Sequence, residues 1–380
     1  MVFAHIHCAE ANPRCPKCGS ANTTSASKHK ERVIRGLPIG PRPFILRVTI
    51  RRIRCRECKA FAQEPLPFCP GPYARYTKQL ARYVIGLRSK MSISAAAQLT
   101  GLHWETVKNI EKEYLKHKYK RIRLKDTAVL GIDEVYLGLK MGFITVVRDL
   151  ESGAVLHIGK GKGYEALAKF RKRLKRHRGR IKAVCIDMSG AYSSWVKEIL
   201  PDADIVYDHF HVIKMMNKRL DDLRRRTMVQ LCTDQKKSLK KTRWLWLRNI
   251  ENLSESAQSE LEELREKFSD LGTASAMKEV LRNIYQLADG ITVAELAFKK
   301  WCAMADESGI DALKRMAKTI RSHWDGVLAY WRHNNITNAS QEGFNNKIGW
   351  LTRQAYGYRD EQYLHLKIFD LPNLSTVRKL

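Results

Sequence analysis

The sequence lacks several features that would point to a membrane or to a secreted protein. No apolar stretch approaches the roughly 18 to 20 residues of a membrane-spanning helix, and no signal peptide precedes the first module. Acidic residues are scarce, because 39 Asp and Glu stand against 69 Lys and Arg, which gives a formal net charge of +30. We therefore expect a soluble, cytoplasmic protein with no membrane association and with a polyanionic partner.

Cysteine is sparse outside the N-terminal region, since five of the nine cysteines lie in the first 58 residues. Four of these five form two C-x-x-C pairs, Cys15 with Cys18 and Cys55 with Cys58. In a reducing compartment this spacing favours a metal site over disulfides, and the alternative of a redox pair lacks a thioredoxin-like βαβ context. Four thiolates suit one closed, structural zinc site, so we predict a zinc ribbon in which Cys8 is a bystander.

Changes of pattern divide the chain into five predicted segments. Short apolar runs after the N-terminal third predict three antiparallel strands, and alternating helices and parallel strands follow them, which describes an α/β sheet of the ribonuclease-H-like (retroviral-integrase-like) type. The strand pattern then stops, and a long helical stretch suggests an insertion. The predicted multidomain organisation is a zinc ribbon (1–70), a helix-turn-helix domain (71–125), the first part of the α/β core (126–215), an all-helical insertion (216–331) and C-terminal helices of the core (332–380).

The second segment has the pattern of a helix-turn-helix. An alanine-rich helix, a "TGL" turn and a second amphipathic helix follow one another. In this motif the N-terminal part of the second helix enters the major groove of DNA, so we predict DNA contacts from His103, Trp104, Lys108 and Asn109. An ordinary helical hairpin is the alternative, and the basic run "KHKYKRIR" that follows favours DNA binding.

Two acidic residues end predicted strands of the α/β core. Asp133 follows the apolar run "AVLGI" and Asp187 closes "AVCID". In a ribonuclease-H-like sheet these strands are neighbours, and converging carboxylates suit magnesium or manganese. Two such ions can activate a nucleophilic oxygen and stabilise the leaving oxygen of a phosphodiester. Asp208, Glu342 and Glu361 are candidates for a third acid, and Glu342 is favoured because it lies near a predicted helix start.

Two further motifs have both a structural and a DNA-binding interpretation. The run "RKRLKRHRGR" is typical of a solvated helix face, but beside a phosphodiester-cleaving site we predict backbone contacts from Arg171, Arg173, Lys175 and Arg176. Trp244 and Trp246 could stack on an unpaired base, while packing inside the helical segment is an equal alternative.

Five blocks along the chain carry a family resemblance: "GIDEVYLG", "VCIDMSGAY", "ADIVYDHFHVIKMMNKRLDDLRR", "TRWLWLRNIENL" and "QEGFNNKIGWLTRQAYGYRD". In this order, behind a zinc ribbon and a helix-turn-helix, they resemble the DDE transposases of bacterial insertion sequences, specifically the ISL3 group. The resemblance implies that Asp133, Asp187 and Glu342 are the catalytic acids and hold two magnesium or manganese ions. It matches the family's D-x-F-H block to Asp208 and His211, which we expect to lie beside the metal-binding acids and to support them.

The resemblance also implies the substrate. Such an enzyme binds the terminal inverted repeats of its element, cleaves there and joins the end to target DNA, usually as a homo-oligomer that pairs two ends. A non-catalytic DNA-binding regulator and a structure-selective nuclease are the alternatives. The complete set of acids argues against the regulator, and only joining to a second DNA distinguishes a transposase from the nuclease.

Overall fold

The fold is described from a computed structural model, which covers residues 1–7, 13–25, 30–64, 66–124, 126–188 and 190–374. The chain forms two compact units. The first comprises Met1–Arg121 together with Gln362–Leu380, and the second comprises Ile122–Glu361. Cys8, which we predicted to be a bystander of the zinc site, lies outside the described residues. Among the described residues, no helix combines the length and the hydropathy needed to cross a bilayer.

The N-terminal part of the first unit contains two small sheets. The larger one encloses a core of Ile34, Leu46, Val48, Ile50 and Cys69. In spatial order, its strands are β1 (Val2–Ile6), β4 (Phe44–Ile50) and β3 (Lys30–Arg35), and those of the smaller sheet are β2 (Thr23–Ser25), β5 (Arg52–Cys55) and β6 (Phe61–Gln63).

Three helices follow these sheets: α1 (Lys78–Arg88), α2 (Ile93–Thr100) and α3 (Trp104–Lys118). The Thr77 and Ser92 hydroxyls cap the first two helices by accepting bonds from Leu80 N and Ala95 N. Gly101 ends α2 with φ 65°, a left-handed conformation that glycine adopts without steric cost, and this allows the sharp turn into α3. The observed helix, turn and helix agree with the predicted motif.

The last helix, α15 (Glu361–Leu374), contributes its residues from Gln362 onward to the first unit. Lys367 Nζ and Tyr363 Oη both donate to the carboxylate of Glu111 on α3, at 2.7 and 2.5 Å. Residues 332–380, which we predicted to be C-terminal helices of the α/β core, therefore divide between the two units after Glu361.

The second unit is built on a five-stranded mixed sheet with the order β11-β10-β7-β8-β9. Its strands are β7 (Val129–Tyr136), β8 (Phe143–Asp149), β9 (Val155–Lys160), β10 (Ala183–Ile186) and β11 (Asp204–Tyr207). The first three pair antiparallel, β10 pairs parallel with β7, and β11 pairs parallel with β10, as the sequence pattern predicted. All four residues of β10 are fully buried, which is typical of a parallel strand covered on both faces.

Helices flank this sheet and then form a long helical segment. The helices near the sheet are α4 (Ala168–Leu174), α5 (Gly190–Ile199) and α14 (Ala339–Gln354). The helical segment contains α6 (His209–Gln230), α7 (Thr233–Leu239), α8 (Arg243–Leu247), α9 (Glu255–Lys267), α10 (Ser269–Leu287), α11 (Ile291–Glu307), α12 (Asp311–Ser322) and α13 (Trp324–Arg332). Sheet and helices share one hydrophobic core that includes Trp195, Trp246 and Trp301.

Candidate active site and metal centre

The four predicted zinc ligands come together at one end of the smaller N-terminal sheet. Cys15 Sγ lies 3.7 Å from Cys58 Sγ, and Cys18 Sγ lies 3.6 Å from Cys55 Sγ. A tetrahedral site with Zn–S bonds of about 2.3 Å has sulfur atoms about 3.8 Å apart, so this set fits one zinc ion. All four sulfur atoms lie within 4.8 Å of one another, and in the described part of the chain no other group of three or more His, Cys, Asp or Glu does so.

Strand register aligns three acidic residues at one edge of the central sheet. Cys185 pairs with Gly131, and Ile186 pairs with Tyr207. Because Asp187 and Asp208 directly follow β10 and β11, continuing both registers puts Asp133, Asp187 and Asp208 side by side on strands about 4.8 Å apart. The backbone N–H of Asp208 donates to Ile186 O at 3.2 Å, which extends the ladder to this point.

The carboxylate of Asp133 is half-buried and oriented by two donors. Glu134 N donates to Oδ1 at 2.8 Å, and Asn345 Nδ2 donates to Oδ2 at 2.6 Å. Burial raises the pKa of Asp133; the Glu134 N–H, His211 and Asn345 oppose this, and the charge of Asp187 adds to it. Asp133, Asp187 and His211 are thus close enough to interact electrostatically.

Glu342 lies in the first turn of α14, where the helix dipole favours a negative charge, and it is exposed. Its negative charge contributes to the raised pKa of Asp208, behind burial as the main cause. Glu361, another candidate for the third acid, instead pairs with Lys160 at 3.3 Å. The carboxylates of Asp133, Asp187 and Glu342 are not all within 4.8 Å of one another. Carboxylates with no cation between them repel one another. Two metal ions about 4 Å apart do not need all their ligands in one shared sphere, so the three acids do not all have to lie within 4.8 Å to hold them.

Helix α14 packs closely against β7 and β8. Arg148 donates to Ser340 O at 2.7 Å and lies 4.3 Å from the centre of the Phe344 ring. Gly131 has no side chain at the point of contact, where a Cβ would lie 2.5 Å from Leu150 Cδ2 and 3.0 Å from Asn338 Oδ1. This close packing holds the helix that carries Glu342 against the strand that carries Asp133.

Glu134 faces the opposite side of the sheet from Asp133, as alternation along a strand requires. Its carboxylate accepts a bond from Tyr192 Oη at 2.8 Å and pairs with Lys162 Nζ at 3.1 Å. Tyr192 Oη also accepts from Gly163 N at 3.1 Å. Glu134 therefore anchors the turn after β9 that contains Lys162 and Gly163, and it is separate from the acidic edge.

Asp208 is almost fully buried and caps α6 by accepting a bond from Phe210 N at 3.3 Å. His209 Nδ1 lies 3.6 Å from Asp208 Oδ1, and the His209 ring contacts Tyr285 and Tyr330 at centroid distances of 5.4 and 5.5 Å. Burial lowers the pKa of His209, which favours its neutral form. Burial raises the pKa of Asp208, and the charge of His211 acts to lower it. His211 therefore also lies near this edge.

Three amide side chains in the first half of α14 and at its N-cap have positions that the sequence did not predict. Asn345 orients Asp133, and its position one turn after Glu342 was the available signal. Gln341 is fully buried with both amide atoms unpaired in the described structure, and the buried Asn338 has an unpaired Oδ1. No sequence pattern marks Gln341 and Asn338 as buried, since polar residues near a helix start are usually solvent-exposed.

The predicted DNA-contact residues of the helix-turn-helix lie at the start of α3. His103 is the N-cap, and Trp104 and Asn109 are exposed. Lys108 Nζ lies 6.0 Å from the centre of the Trp104 ring. These side chains form a surface that a DNA groove could contact.

The basic run in the second unit divides into fixed and exposed residues. Arg171 pairs with Glu198 at 3.1 Å, and Arg173 donates to Leu156 O at 2.7 Å and to Ile122 O at 3.2 Å. Burial lowers the pKa of Arg173. Lys175 and Arg176 are exposed beside a cleft of about 830 Å³.

Three family models match successive parts of the chain. A zinc-finger of transposase IS204/IS1001/IS1096/IS1165 matches residues 11–58, and a helix-turn-helix domain of transposase family ISL3 matches residues 71–115. The ISL3 model of the DDE type, described as "Transposase", matches residues 130–368. These matches confirm the predicted zinc ribbon and helix-turn-helix.

Two curated relatives are similar over most of their length. The transposase for insertion sequence element IS1001 of Bordetella parapertussis is 33% identical over 358 residues, which cover 93% of this chain and 87% of the relative. The transposase for IS1557 of Mycobacterium tuberculosis is 25% identical over 376 residues, with coverages of 92% and 84%. A solved structure, the Drosophila P element transposase strand transfer complex, aligns with a TM-score of 0.42 and 10% identity over 78% of this chain and 91% of that one.

Proposed function

Because this chain belongs to the ISL3 family of transposases, we propose that it binds the terminal inverted repeats of an insertion sequence, cleaves the DNA there and joins the freed end to target DNA. The zinc ribbon and helix-turn-helix hold the element's ends, with contacts from the exposed start of α3. Asp133, Asp187 and Glu342 are the catalytic acids. The protein works on DNA as a dimer or larger homo-oligomer, as its family relationship implies.

The sheet of the second unit supports a ribonuclease-H-like core. Its chain order gives three antiparallel strands and then two parallel ones, and the fourth strand pairs with the first. Such a core brings the ends of its first and fourth strands together, here those of β7 and β10. Helices α6 to α13 then form an insertion between the second acid and the third.

One observation carries the assignment of the acids: the hydrogen bond of 2.6 Å from Asn345 to Asp133. It ties the helix that carries Glu342 to the strand that carries Asp133, and that strand's register neighbour leads into Asp187. The three acids would hold two magnesium or manganese ions, since hard carboxylate oxygens suit these metals. When bound, such ions activate the attacking oxygen and stabilise the leaving oxygen of a phosphodiester.

The surrounding residues prepare the carboxylates for this role. Asn345 and the Glu134 N–H fix the two oxygens of Asp133, and Arg148 fixes the start of α14. Asp208 and His211 lie next to the three acids. Asp208 caps α6, and His211 partly balances the negative charge of the carboxylates. Lys175 and Arg176 contact the DNA backbone, while Arg173 supports the fold and Arg171 is held by its ion pair.

The test compares three single variants of the full-length protein, two at proposed catalytic acids and one at the control Glu361. Asp133→Ala and Glu342→Gln should bind end DNA with nearly unchanged affinity and lose magnesium-dependent cleavage, whereas Glu361→Gln should cleave normally. Full cleavage by either of the first two variants would refute the assignment. Cleavage without joining to a second DNA would indicate the structure-selective nuclease, and binding without cleavage by the unmodified protein would indicate the regulator.

A further inference from the structure

The amide group of Asn345 has one atom with a hydrogen-bond partner and one without. Asn345 lies on α14, one turn after Glu342, and its Nδ2 donates to Asp133 Oδ2 at 2.6 Å. The other amide atom, Oδ1, is buried, and no donor among the described residues reaches it. A buried carbonyl oxygen in this situation has lost its water without gaining a hydrogen bond, which is unfavourable. The bond to Asp133 therefore explains only half of this amide.

Unpaired amide atoms are concentrated in this part of the chain. Gln341, one turn before Asn345, is fully buried, and both of its amide atoms lack a partner among the described residues, as does Oδ1 of the buried Asn338. All three side chains belong to α14 or its N-cap, and α14 packs against β7, the strand that carries Asp133. Buried polar atoms that lack partners at one place indicate a site for water or for an ion.

The backbone of Asn345 is fixed, but its amide group can turn. Arg148 donates to Ser340 O at 2.7 Å, and Phe344, directly before Asn345, is 3% exposed, so the helix is held against the sheet. The torsion about the Cβ–Cγ bond of an asparagine is broad and roughly two-fold. A half-turn about this bond exchanges the positions of Nδ2 and Oδ1 and needs no movement of the helix.

A divalent cation on Asp133 would favour the turned amide. Without a cation, the half-turn would place two oxygens against each other, so the amide donates from Nδ2, as observed. Adjacent ligand oxygens of an octahedral magnesium ion lie about 2.9 Å apart, because Mg–O bonds are about 2.0–2.1 Å long. Nδ2 lies 2.6 Å from Asp133 Oδ2, so an oxygen in its place would fit as a second ligand after a shift of about 0.3 Å. A lysine or arginine could also hold Asp133, but it offers no oxygen.

We propose that Asn345 is a further ligand of the metal site. Its Nδ2 holds Asp133 while no divalent cation is bound, and its Oδ1 coordinates the cation that Asp133 binds. The inference rests on the proposed function, which supplies the metal site of Asp133, Asp187 and Glu342. An amide oxygen is a hard, neutral ligand of the kind that suits magnesium and manganese, so it adds affinity without adding negative charge to the three acids.

The test measures manganese binding to the full-length protein without DNA. The electron paramagnetic resonance signal of free manganese gives the affinity. Electron–nuclear double resonance then examines the bound ion in protein made by cell-free synthesis with asparagine that carries carbon-13 at Cγ. We expect a clear carbon-13 coupling, because Cγ is bonded directly to the coordinating oxygen. Asn345→Asp has no labelled carbon at this position, so the coupling should disappear, while its carboxylate oxygen should preserve binding.

Asn345→Leu removes both amide atoms with little change in volume. It should weaken manganese binding about tenfold to hundredfold, the usual effect of removing a group that supports a metal site. Asn346 is the matched control, because it is the next residue of α14 and is exposed. Asn346→Leu should leave the affinity unchanged, and Asn346→Asp should keep the carbon-13 coupling.

Asp133→Ala separates this inference from the proposed function, since it should abolish the manganese site. Binding that Asp133→Ala leaves unchanged would overturn the assignment of the acids, and the inference with it. A site that depends on Asp133 but shows no carbon-13 coupling would overturn only the role of Asn345. Equal affinities for Asn345→Leu and Asn346→Leu would do the same.

Discussion

The glutamate at position 111 lies buried in the first unit, and replacing it with glutamine should loosen that unit strongly. Glu111 on α3 is 4% exposed and accepts bonds from Arg88 at 2.7 Å, Lys367 at 2.7 Å and Tyr363 at 2.5 Å. The side chains of Arg88 and Lys367 are 11% and 6% exposed. Glu111→Gln would leave two largely buried cations without their counter-charge.

The expected size of this effect follows from the burial. Removing one partner of a buried ion pair costs about 3–5 kcal/mol, because the remaining charge is neither solvated nor paired. Glu113→Gln on the same helix is the matched control, since Glu113 is 66% exposed and, within the described part of the chain, its ion pair is with Lys116 alone. Surface pairs at this spacing contribute about 0.2–0.5 kcal/mol.

Hydrogen exchange measures this prediction locally, which matters because a chain of two units has no single free energy of unfolding. A loss of about 3–5 kcal/mol should speed exchange in α3 and α15 by about two to nearly four orders of magnitude, since about 1.4 kcal/mol corresponds to tenfold. Exchange in the strands of the second unit should change little. If Glu111→Gln exchanges no faster than Glu113→Gln, the buried cluster does not hold these two helices together.

The same cluster predicts a pH dependence. Burial alone would raise the pKa of Glu111, but the charges of Lys367 and Arg88 outweigh it and lower the pKa below the usual 4.5. A lowered pKa in the folded state stabilises the unit above the unfolded pKa, and this contribution is lost as the pH falls through the folded value. Protection of α3 and α15 should therefore decrease below about pH 4.5 in unmodified protein. The part of this decrease due to Glu111 should be absent in Glu111→Gln.

Two further predictions concern the zinc site and the basic run. Chelation should release one zinc per chain, measured with a colorimetric dye, and should abolish exchange protection around β2 and β5, because the four thiolates hold this small sheet together; retained protection would contradict a structural role. Arg173→Ala should destabilise the second unit by about 1–3 kcal/mol, since it removes a half-buried donor from two carbonyls. Lys175→Ala should instead leave stability unchanged and reduce the slope of log affinity for DNA against log salt by about 0.9, and equal effects of the two variants on that slope would contradict this division.

Local patterns in the sequence were sufficient for the features that depend on short-range chemistry. The spacing of Cys15, Cys18, Cys55 and Cys58 predicted the metal site, because ligand type and spacing largely determine it. The antiparallel pairing of β7 with β8, and of β8 with β9, followed from short connections between short apolar runs. The opposite directions of Asp133 and Glu134 also follow from the two-residue period of a strand.

Features that depend on distant partners were not predictable in this way. The last helix joins α3 through Glu111, whose partners on that helix, Tyr363 and Lys367, lie more than 250 positions away and have no distinguishing local pattern. The sequence of the basic run likewise does not indicate that Arg173 donates hydrogen bonds to two backbone carbonyls while Lys175 is exposed. Trp244 and Trp246 are two positions apart on a helix and therefore lie on different sides of it. Only the packing of the folded unit determines which of the two is buried.

The excess of cations makes the acids of the sheet edge unusual. With 69 Lys and Arg in the chain, most buried acids are paired with them, as Glu111 is with Lys367 and Asp221 is with Arg224. Among the described residues, Asp133 and Asp208 have no ion pair with a lysine or arginine, and burial raises the pKa of both. Buried carboxylates without such a partner are costly unless a cation compensates them. Their cost is understandable if this edge keeps its carboxylates available for divalent metal ions, because a lysine or arginine bound there would occupy the same oxygens.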